Sequence, residues 1–231
     1  MKIKNLSFSY GERPLLNNIN LDIEANKTLC ILGVSGCGKT TFLNCIGGLI
    51  KYSGQIEGLP EKISYVFQES RLVPSLTVRE NLAYVLGDIP KIRRNVLIDG
   101  ILSDVELIDS SEKYPHALSG GERSRISLAR AFVYPSSLIL MDEPFTGLDI
   151  ALKSRIITLF NSLLAEKPKT VVYVTHSIDE ALLLSDRVCV MDASGGLSDC
   201  LCIPYEKPKR SIVAPELVTA RKRLLESLIR S

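Results

Sequence analysis

A glycine-rich segment, Gly33-Val-Ser-Gly-Cys-Gly-Lys-Thr-Thr41, directly follows the apolar run from Thr28 to Leu32. This order predicts a buried strand, a tight loop and then a helix from Lys39 to about Ile46. Glycine takes positive φ readily and carries no Cβ, so the backbone N–H groups of the loop can turn inward around an anion. The segment therefore predicts a cradle for a chain of phosphate groups.

Lys39 and Thr40 are residues that a simple connecting turn would not need. The lysine supplies a positive charge, the hydroxyl suits a Mg²⁺ ion that bridges outer phosphates, and the helix directs its positive dipole end at the same anion. A helix dipole contributes about 0.3–1 kcal/mol and a hydrogen bond to a charged group about 1.5–3 kcal/mol, so Lys39 and the loop amides should dominate affinity. The predicted phosphate-binding residues are Gly33, Val34, Ser35, Gly36, Cys37, Gly38, Lys39, Thr40 and Thr41.

Two adjacent carboxylates, Asp142 and Glu143, end the apolar strand pattern of residues 137–141. Open α/β sheets hold ligands at the carboxyl edge of their strands, where two neighbouring acids are costly without a cation. We therefore expect Asp142 to hold Mg²⁺, usually through water, and Glu143 to orient or deprotonate a water that attacks the terminal phosphate. The alternative is that both carboxylates only cap the following loop.

Two further polar residues each end a strand pattern: Gln68 follows residues 63–67, and His176 follows residues 170–175. The amide oxygen of Gln68 could complete the metal shell or sense the attacking water, although a polar residue at a strand end is usually only a cap. The spacing of Ser177–Glu180 predicts a capping box that starts the next helix, so the imidazole of His176 should lie at the carboxyl edge of the sheet.

The string Leu118-Ser-Gly-Gly-Glu122 predicts another helix start. Ser119 and Glu122 have the spacing of a capping box, which explains part of the string. Two glycines in a first turn cost about 1 kcal/mol each relative to alanine, and the sequence gives no local reason for them. Because helix N-termini bind phosphate, we predict a second phosphate site formed by Ser119, Gly120, Gly121 and Glu122.

The composition excludes several classes of protein. The chain has 231 residues, 45% hydrophobic and 23% charged, and its formal charge of +2 gives no argument for nucleic acid. No apolar run approaches the roughly 20 residues of a membrane span, and the N-terminus leads into a strand pattern. We therefore expect a soluble, cytoplasmic chain. Its basic C-terminal end indicates a solvated helix face, with contact to anionic lipid or a partner as the alternative.

Six cysteines could indicate metal binding or disulfides. Cys30 and Cys189 lie in strand-like apolar runs, and Cys200 and Cys202 are one residue apart, which is not the usual zinc spacing. We therefore expect reduced thiols.

The order of patterns predicts an α/β fold. Polar–apolar alternation over residues 2–8 and 19–23 predicts an antiparallel ribbon. Residues 77–131 have a helical pattern, which starts with Thr77 and Glu80 in the spacing of a capping box. Buried strands separated by helices then imply a parallel sheet. The ending, Ile203–Arg210, is rich in proline and lysine, and an amphipathic helix pattern follows over Glu216–Ile229. We predict one domain over residues 1–231, with a nucleotide-binding core in 1–69 and 137–231 and a helical insert in 70–136.

These motifs closely resemble the nucleotide-binding subunits of ABC transporters, over almost the whole chain. The motifs of that family are matched by the glycine-rich loop as Walker A, Gln68 as Q-loop, Leu118–Glu122 as signature, Leu140–Glu143 as Walker B, Gly147–Asp149 as D-loop, His176 as switch histidine, and Tyr10 as the aromatic that stacks on adenine. The resemblance implies a P-loop NTPase (RecA-like) core with an antiparallel β subdomain and an inserted α-helical subdomain, and an ATPase whose cofactors are ATP and Mg²⁺.

The resemblance also implies a shared site. Two copies of this chain, or this chain and a paralogous ATPase, would pair head to tail around two ATP molecules, so that the signature of each contacts the γ-phosphate held by the other. The implied roles are catalysis by Glu143, His176, Lys39 and Gln68, metal binding by Thr40, Gln68 and Asp142, and nucleotide binding by Tyr10, Asp149, the loop and the signature.

The implied partners place the chain at the cytoplasmic face of the cell membrane, as a peripheral protein. Gln68 and residues 69–74 would meet a short helix of a transmembrane permease subunit. A periplasmic or lipid-anchored solute-binding protein would be an indirect partner, and we expect no nucleic acid.

Within the family, three segments resemble importers of nitrate, sulfonate and taurine: Phe67–Leu82, Asp142–Asp149 and the ending Ile203–Arg210. One alternative is an exporter module, which would share every catalytic residue. The other is a soluble family member without a membrane partner, although such proteins usually carry two domains or distinctive inserts.

Overall fold

The computed structural model describes residues 1–87, 89–203, 206–207, 210 and 214–230, without the side chains of Asp199 and Glu216. The strands are β1 (Lys2–Tyr10), β2 (Arg13–Asp22), β3 (Thr28–Gly33), β4 (Ser53–Glu57), β5 (Ile63–Val66), β6 (Leu138–Asp142), β7 (Thr170–Thr175), β8 (Arg187–Met191) and β9 (Leu197–Cys202). The helices are α1 (Lys39–Ile46), α2 (Val78–Tyr84), α3 (Lys91–Asp104), α4 (Gly120–Val133), α5 (Ile150–Glu166), α6 (Ile178–Leu184) and α7 (Pro215–Arg230).

The N-terminal ribbon is part of a three-stranded antiparallel sheet in the order β2-β1-β4. The predicted ribbon is confirmed, but β2 begins at Arg13, earlier than its alternating pattern does. The register of β1 against β2 shifts at three places, and Asn5 and Asn18 adopt positive φ. Bulges of this kind interrupt the two-residue period, which is why the pattern marked only the second half of the strand.

The central sheet has the order β5-β6-β7-β3-β8-β9. The strands from β5 to β8 in this order are parallel, as predicted, whereas β9 pairs antiparallel with β8. A tight turn at Asp192 makes this edge hairpin, because its Oδ1 accepts hydrogen bonds from the backbone N–H groups of Ser194 and Gly196. The parallel strands direct their carboxyl ends to one edge, where the glycine-rich loop, Gln68, the Asp142–Glu143 pair and His176 follow.

Apolar side chains cover both faces of the central sheet. The ribbon and α1 pack on one face, around buried residues such as Leu6, Ile31 and Phe42. Helices α2–α4, which lie between β5 and β6 in the chain, pack on the other face together with α5, α6 and α7. The site loops are therefore carried on a sheet that is buried on both faces, which fixes their relative positions.

Capping side chains start several of these helices. The capping boxes predicted at Thr77 and at Ser119 are both complete. The capping box predicted at Ser177 is only half right. The Ser177 hydroxyl accepts from the Glu180 N–H, but the Glu180 carboxylate does not accept from the Ser177 N–H. That buried carboxylate instead accepts from Thr175 Oγ1 at 2.6 Å and Lys153 Nζ at 2.7 Å.

The expectation of six reduced thiols is wrong for two cysteines. Cys189 and Cys200 are a cross-strand pair on β8 and β9 and form a disulfide. The spacing of Cys200 and Cys202 had no bearing on this, because the pairing follows from the unpredicted antiparallel hairpin. Of the predicted C-terminal features, helix α7 is confirmed, whereas Pro204, Tyr205, Pro208, Lys209 and residues 211–213 lie outside the described part of the chain.

Gly195 provides a test of how the two sheets are joined. It has φ of 76°, and a Cβ placed on it would overlap the carbonyl oxygen of Leu15 in β2. We expect Gly195→Ala to lower the free energy of unfolding by roughly 2–4 kcal/mol, the sum of a strained φ and an overpacked contact. Urea or thermal unfolding measures this.

Gly48→Ala is the matched control, since Gly48 has φ of 69° and open space within 4 Å of its Cβ position. It should lose only about 1 kcal/mol. Equal losses of unfolding free energy in the two variants would show that the contact with β2 does not contribute to stability.

Candidate nucleotide site

The glycine-rich loop connects β3 to α1 at the carboxyl edge of the sheet. Gly36 and Gly38 have φ of 84° and 110°, as the cradle requires. Gly33 does not adopt positive φ, so that part of the prediction is wrong. Its glycine is needed for close packing, because a Cβ there would lie 2.7 Å from Cys37 Sγ and 2.8 Å from Met191 O. Val34, Ser35 and Gly36 are exposed.

Lys39 lies inside the loop and its side chain is only 5% exposed. Its ammonium group donates to the carbonyl oxygens of Gly33 at 3.0 Å and Val34 at 2.9 Å. The same Nζ atom lies 3.7 Å from Glu143 Oε1. Lys39 thus bridges the loop after β3 and the residue after β6 with a nearly buried positive charge.

Asp142 is the last residue of β6 and is buried. Burial raises the pKa of this carboxyl, and the Thr40 hydroxyl, which donates to Asp142 Oδ1 at 3.0 Å, opposes the shift. The neighbouring Glu143 also raises the Asp142 pKa. Because a desolvated acid beside a hydroxyl gains from a hard cation, the two oxygen donors fit Mg²⁺.

Glu143 is held in an unusual backbone conformation, with φ of 43°. Its Oε2 atom lies 3.0 Å from His176 Nδ1 and accepts from Thr146 Oγ1 at 3.2 Å. A non-glycine residue at positive φ costs on the order of 1–3 kcal/mol and is found where the surroundings fix it, often at functional sites. Since an ionised carboxylate only accepts, Nδ1 of His176 carries the proton in this contact.

Thr146 is the residue here that the sequence reasoning missed as a partner of Glu143. A hydroxyl three residues after an acid, in a turn with Gly147 at positive φ, was the available signal.

Gln68 and Tyr10 are exposed, and no hydrogen bond joins either side chain to another group in the described residues. The Tyr10 ring, 62% exposed, lies edge-on to Phe8 at 4.8 Å.

The signature residues lie at the start of α4. Ser119 and Gly120 are exposed, and the Ser119 hydroxyl accepts from Glu122 N while Glu122 Oε2 accepts from Ser119 N. Gly121 is buried against α5, and a Cβ there would lie 2.7 Å from Leu152 Cδ1. A local packing need therefore does exist for this glycine, contrary to the sequence argument. A Cβ at Gly120 would meet only Arg123 Nη2, at 4.0 Å.

Asp149 caps α5, because its Oδ1 accepts from Leu152 N at 2.9 Å. The loop, Asp142, Glu143 and His176 form one connected group. Within the described residues, no hydrogen bond or ion pair joins Ser119–Glu122 or Asp149 to that group. The chain by itself thus presents two separate sets of candidate residues.

The buried lysine of a strand–glycine loop–helix unit, bridged to acids at the same sheet edge, places the protein among the P-loop nucleotide hydrolases. A scan against protein families matches residues 16–146 to the family described as ABC transporter. This is more than half of the chain, which therefore belongs to the ABC transporter family and is one of its ATP-binding ATPases.

Characterised relatives agree with this assignment. The chain is 36% identical to "Aliphatic sulfonates import ATP-binding protein SsuB 1" of Paracoccus denitrificans, covering 98% of this chain and 92% of the relative. It is 35% identical to "Taurine import ATP-binding protein TauB" of Shigella boydii, over 85% and 81%. It is 38% identical to "Spermidine/putrescine import ATP-binding protein PotA" of Chromobacterium violaceum, but spans only 63% of that longer protein.

A solved structure shows the same fold. "Dimeric Structure of MJ0796, a Bacterial ABC Transporter Cassette" superposes with a TM-score of 0.77 at 31% identity, covering 89% of this chain and 99% of that one. The predicted α/β fold with a P-loop core and a β subdomain is confirmed. In the part of the chain that the structure describes, none of the helices has the length and apolar character needed to cross a bilayer.

Asp142→Asn should stabilise the protein when nucleotide and metal are absent. The folded-state pKa of Asp142 is raised, so the unfolded chain loses this proton first and stability falls as pH rises through the folded pKa. Asparagine stays neutral and still offers an oxygen to Thr40. We therefore expect a higher Tm for the variant at about pH 7, by about 2–4 °C for each kcal/mol recovered.

The pH dependence is the control for this prediction. The gain should shrink as the pH falls toward the ordinary pKa of an aspartate, because Asp142 itself becomes protonated. A variant that is less stable than the wild type at pH 7, in nucleotide-free buffer with a chelator, would contradict the role of desolvation.

Proposed function

We propose that the chain is the ATP-hydrolysing subunit of a membrane importer of small sulfonate-type solutes, working as a homodimer with two ATP molecules between the copies. The observation that carries the catalytic part is the connected group of Lys39, Glu143 and His176. The import part is supported by the near full-length match to sulfonate and taurine import proteins. Residues 1–231 would act as one ATPase domain, with residues 70–136 as its helical insert.

Binding of Mg-ATP would use the loop, Lys39, Thr40 and Asp142. The positive φ values of Gly36 and Gly38 and the open space at Gly36 leave room for phosphate close to the backbone. Thr40, Asp142 and the amide of Gln68 would hold Mg²⁺, which supplies charge neutralisation on the outer phosphates. Tyr10 would stack on adenine, because its exposed ring lies at the end of β1.

Water activation would depend on Glu143. Its Oε2 is fixed by His176 and Thr146, and its Oε1 faces Lys39, so the carboxylate is oriented from three sides. The carboxylate would take a proton from the attacking water as its general base. The Nδ1–H of His176 would donate to Glu143 and keep its carboxylate in place.

The separation of the signature from this group supports a two-copy site. The helix dipole and the exposed residues Ser119 and Gly120 suit an anion that this chain's own loop does not bring to them. A second copy, head to tail, would supply its γ-phosphate there. The capping hydrogen bond of Ser119 would be exchanged for one to phosphate, while Glu122 and Gly121 keep the helix start in position.

Glu143→Gln should slow hydrolysis by about 10²–10⁴-fold, the usual contribution of a general base, and leave an ATP-bound dimer. The amide has nearly the same shape and both phosphate-binding sets survive. Light scattering after gel filtration with ATP and Mg²⁺ measures the dimer, and phosphate release measures turnover.

The double variant Glu143→Gln/Ser119→Arg separates the two halves of the proposal. The added side chain should block the contact with the partner's phosphate, so the protein should bind ATP as a monomer. A double variant that still dimerises, or that no longer binds ATP, would refute the assignment of the signature to the partner's nucleotide.

The solute and the direction of transport need a cell-based test. We expect a strain lacking this chain to lose uptake of labelled taurine or an alkanesulfonate, and the wild-type chain, but not Glu143→Gln, to restore it. The chain would act at the cytoplasmic face of the membrane, with Gln68 and residues 69–74 against a permease subunit and a solute-binding protein delivering the solute.

The alternatives give different results in the same strains. Unchanged sulfonate uptake together with loss of nitrate or polyamine uptake would reassign the solute. Accumulation of a compound inside the mutant cells would indicate an exporter module. Loss of neither import nor export would favour a soluble family member.

A further inference from the structure

The loop that carries Gln68 is closed by its own side chains. The Arg71 guanidinium lies over the Phe67 ring, 3.9 Å from its centroid, so the residues on both sides of Gln68 are in contact. The Phe67 ring stacks on Tyr65 at 4.2 Å, and the Tyr65 hydroxyl donates to Asn44 in α1 at 3.1 Å. One end of the loop is thereby connected to the helix that begins with Lys39.

The other side of this loop is held by Arg130, on α4. Its Nη1 donates to the carbonyl oxygen of Arg71 and its Nη2 to that of Ser70, both at 2.9 Å. Arg71 has φ of 42°, a strained value for a residue with a side chain. Two hydrogen bonds from one planar charged group compensate such strain and fix the peptide orientation. Arg130 is largely buried, and burial lowers the pKa of its guanidinium.

Few other polar interactions connect the loop to α4. A small cavity of about 10 Å³ lies between them, lined by Gln68, Ser70, Ser124 and Ser127 among others. The Ser127 hydroxyl, on a residue only 3% exposed, has no hydrogen-bond partner. Among the described residues, only the two hydrogen bonds from Arg130 join residues 68–72 to α4. This guanidinium therefore carries the hydrogen-bonded connection between the loop and α4, beside the apolar packing of Leu72.

We propose that Arg130 is a positioning residue, which fixes Gln68 relative to the signature helix so that a partner's nucleotide, sensed at Ser119, orients the amide of Gln68 at the metal. The inference rests on the proposed function, because both Ser119 and Gln68 take their roles from it. The physical link is one rigid helix, with Ser119 at its N-cap and Arg130 in its last turn. A shift of α4 therefore moves the carbonyls of Ser70 and Arg71, and Gln68 with them.

The test compares Arg130→Met and Arg130→Lys with Arg125→Met. Arg125 is the matched control, because this half-buried guanidinium on the same helix donates to a backbone carbonyl, Val105 O at 2.8 Å, but lies in the insert away from the Q-loop. Steady-state hydrolysis is measured against ATP and against Mg²⁺. Amide hydrogen exchange is measured over residues 68–72.

For Arg130→Met we expect kcat to fall about tenfold with KM for ATP within about twofold, because ground-state binding by the loop is intact. The Mg²⁺ concentration for half-maximal rate should rise about threefold, and exchange at residues 68–72 should accelerate at least about tenfold. Arg130→Lys, which keeps a donor of the same charge, should recover part of kcat. Arg125→Met should leave all these quantities within about twofold.

The proposal is overturned if Arg125→Met and Arg130→Met lose kcat equally, or if exchange at residues 68–72 rises while kcat and the Mg²⁺ dependence stay unchanged. If Arg130→Met does not fold, the same comparison between Arg130→Lys and Arg125→Lys decides. A wild-type protein without ATPase activity would refute the proposed function instead. The exchange data would still show whether Arg130 holds the loop.

Discussion

The site is organised around the nearly buried ammonium group of Lys39. It closes the glycine-rich loop through two carbonyl oxygens and lies 3.7 Å from Glu143, which follows a different strand of the sheet. A charge at this depth needs such partners, because burying an ammonium group without hydrogen-bond acceptors or an opposite charge is costly. The conformations of the loop and of the residue after β6 are therefore coupled through one side chain, and the parallel sheet beneath them keeps the two supports at a fixed distance.

The sequence predicted the structure correctly where a local pattern of residue types is enough to specify the local conformation. The strand–loop–helix unit, the parallel strands and two complete capping boxes followed from glycine placement, hydrophobic periodicity and side-chain spacing. It failed where the answer depended on contacts between distant segments. Gly33 and Gly121 are glycines because Met191 and Leu152 approach them, and neither neighbour can be identified from local sequence. The disulfide between Cys189 and Cys200 required the pairing of β9, whose turn at Asp192 gave only a weak signal.

The candidate site shows the same division. Asp142, Glu143 and His176 were found because each ends a strand at one edge, so chain order and sheet topology together bring them close. The support by Thr146 and the clamp by Arg130 use a turn hydroxyl and a guanidinium on carbonyl oxygens, which have no sequence spacing of their own. The proposal that two copies share the site rests on the opposite observation. Ser119 and Gly120 are exposed, and no hydrogen bond joins them to the other candidate residues in the described part of the chain. The roles of these residues remain predictions of the sequence and the geometry together.

The contact between the N-terminal ribbon and the glycine-rich loop has a consequence for how a nucleotide would be held. The carbonyl of Leu15 faces both Gly38 of the loop and Gly195 of the edge hairpin, and the Asn17 N–H donates to Gly195 O at 3.1 Å. The β1–β2 hairpin, in which Tyr10 is the last residue of β1, thus packs directly against the glycine-rich loop. In the proposed site, the base contact at Tyr10 and the phosphate loop would therefore belong to one packed unit. A change in the length of this hairpin would therefore alter both contacts at once.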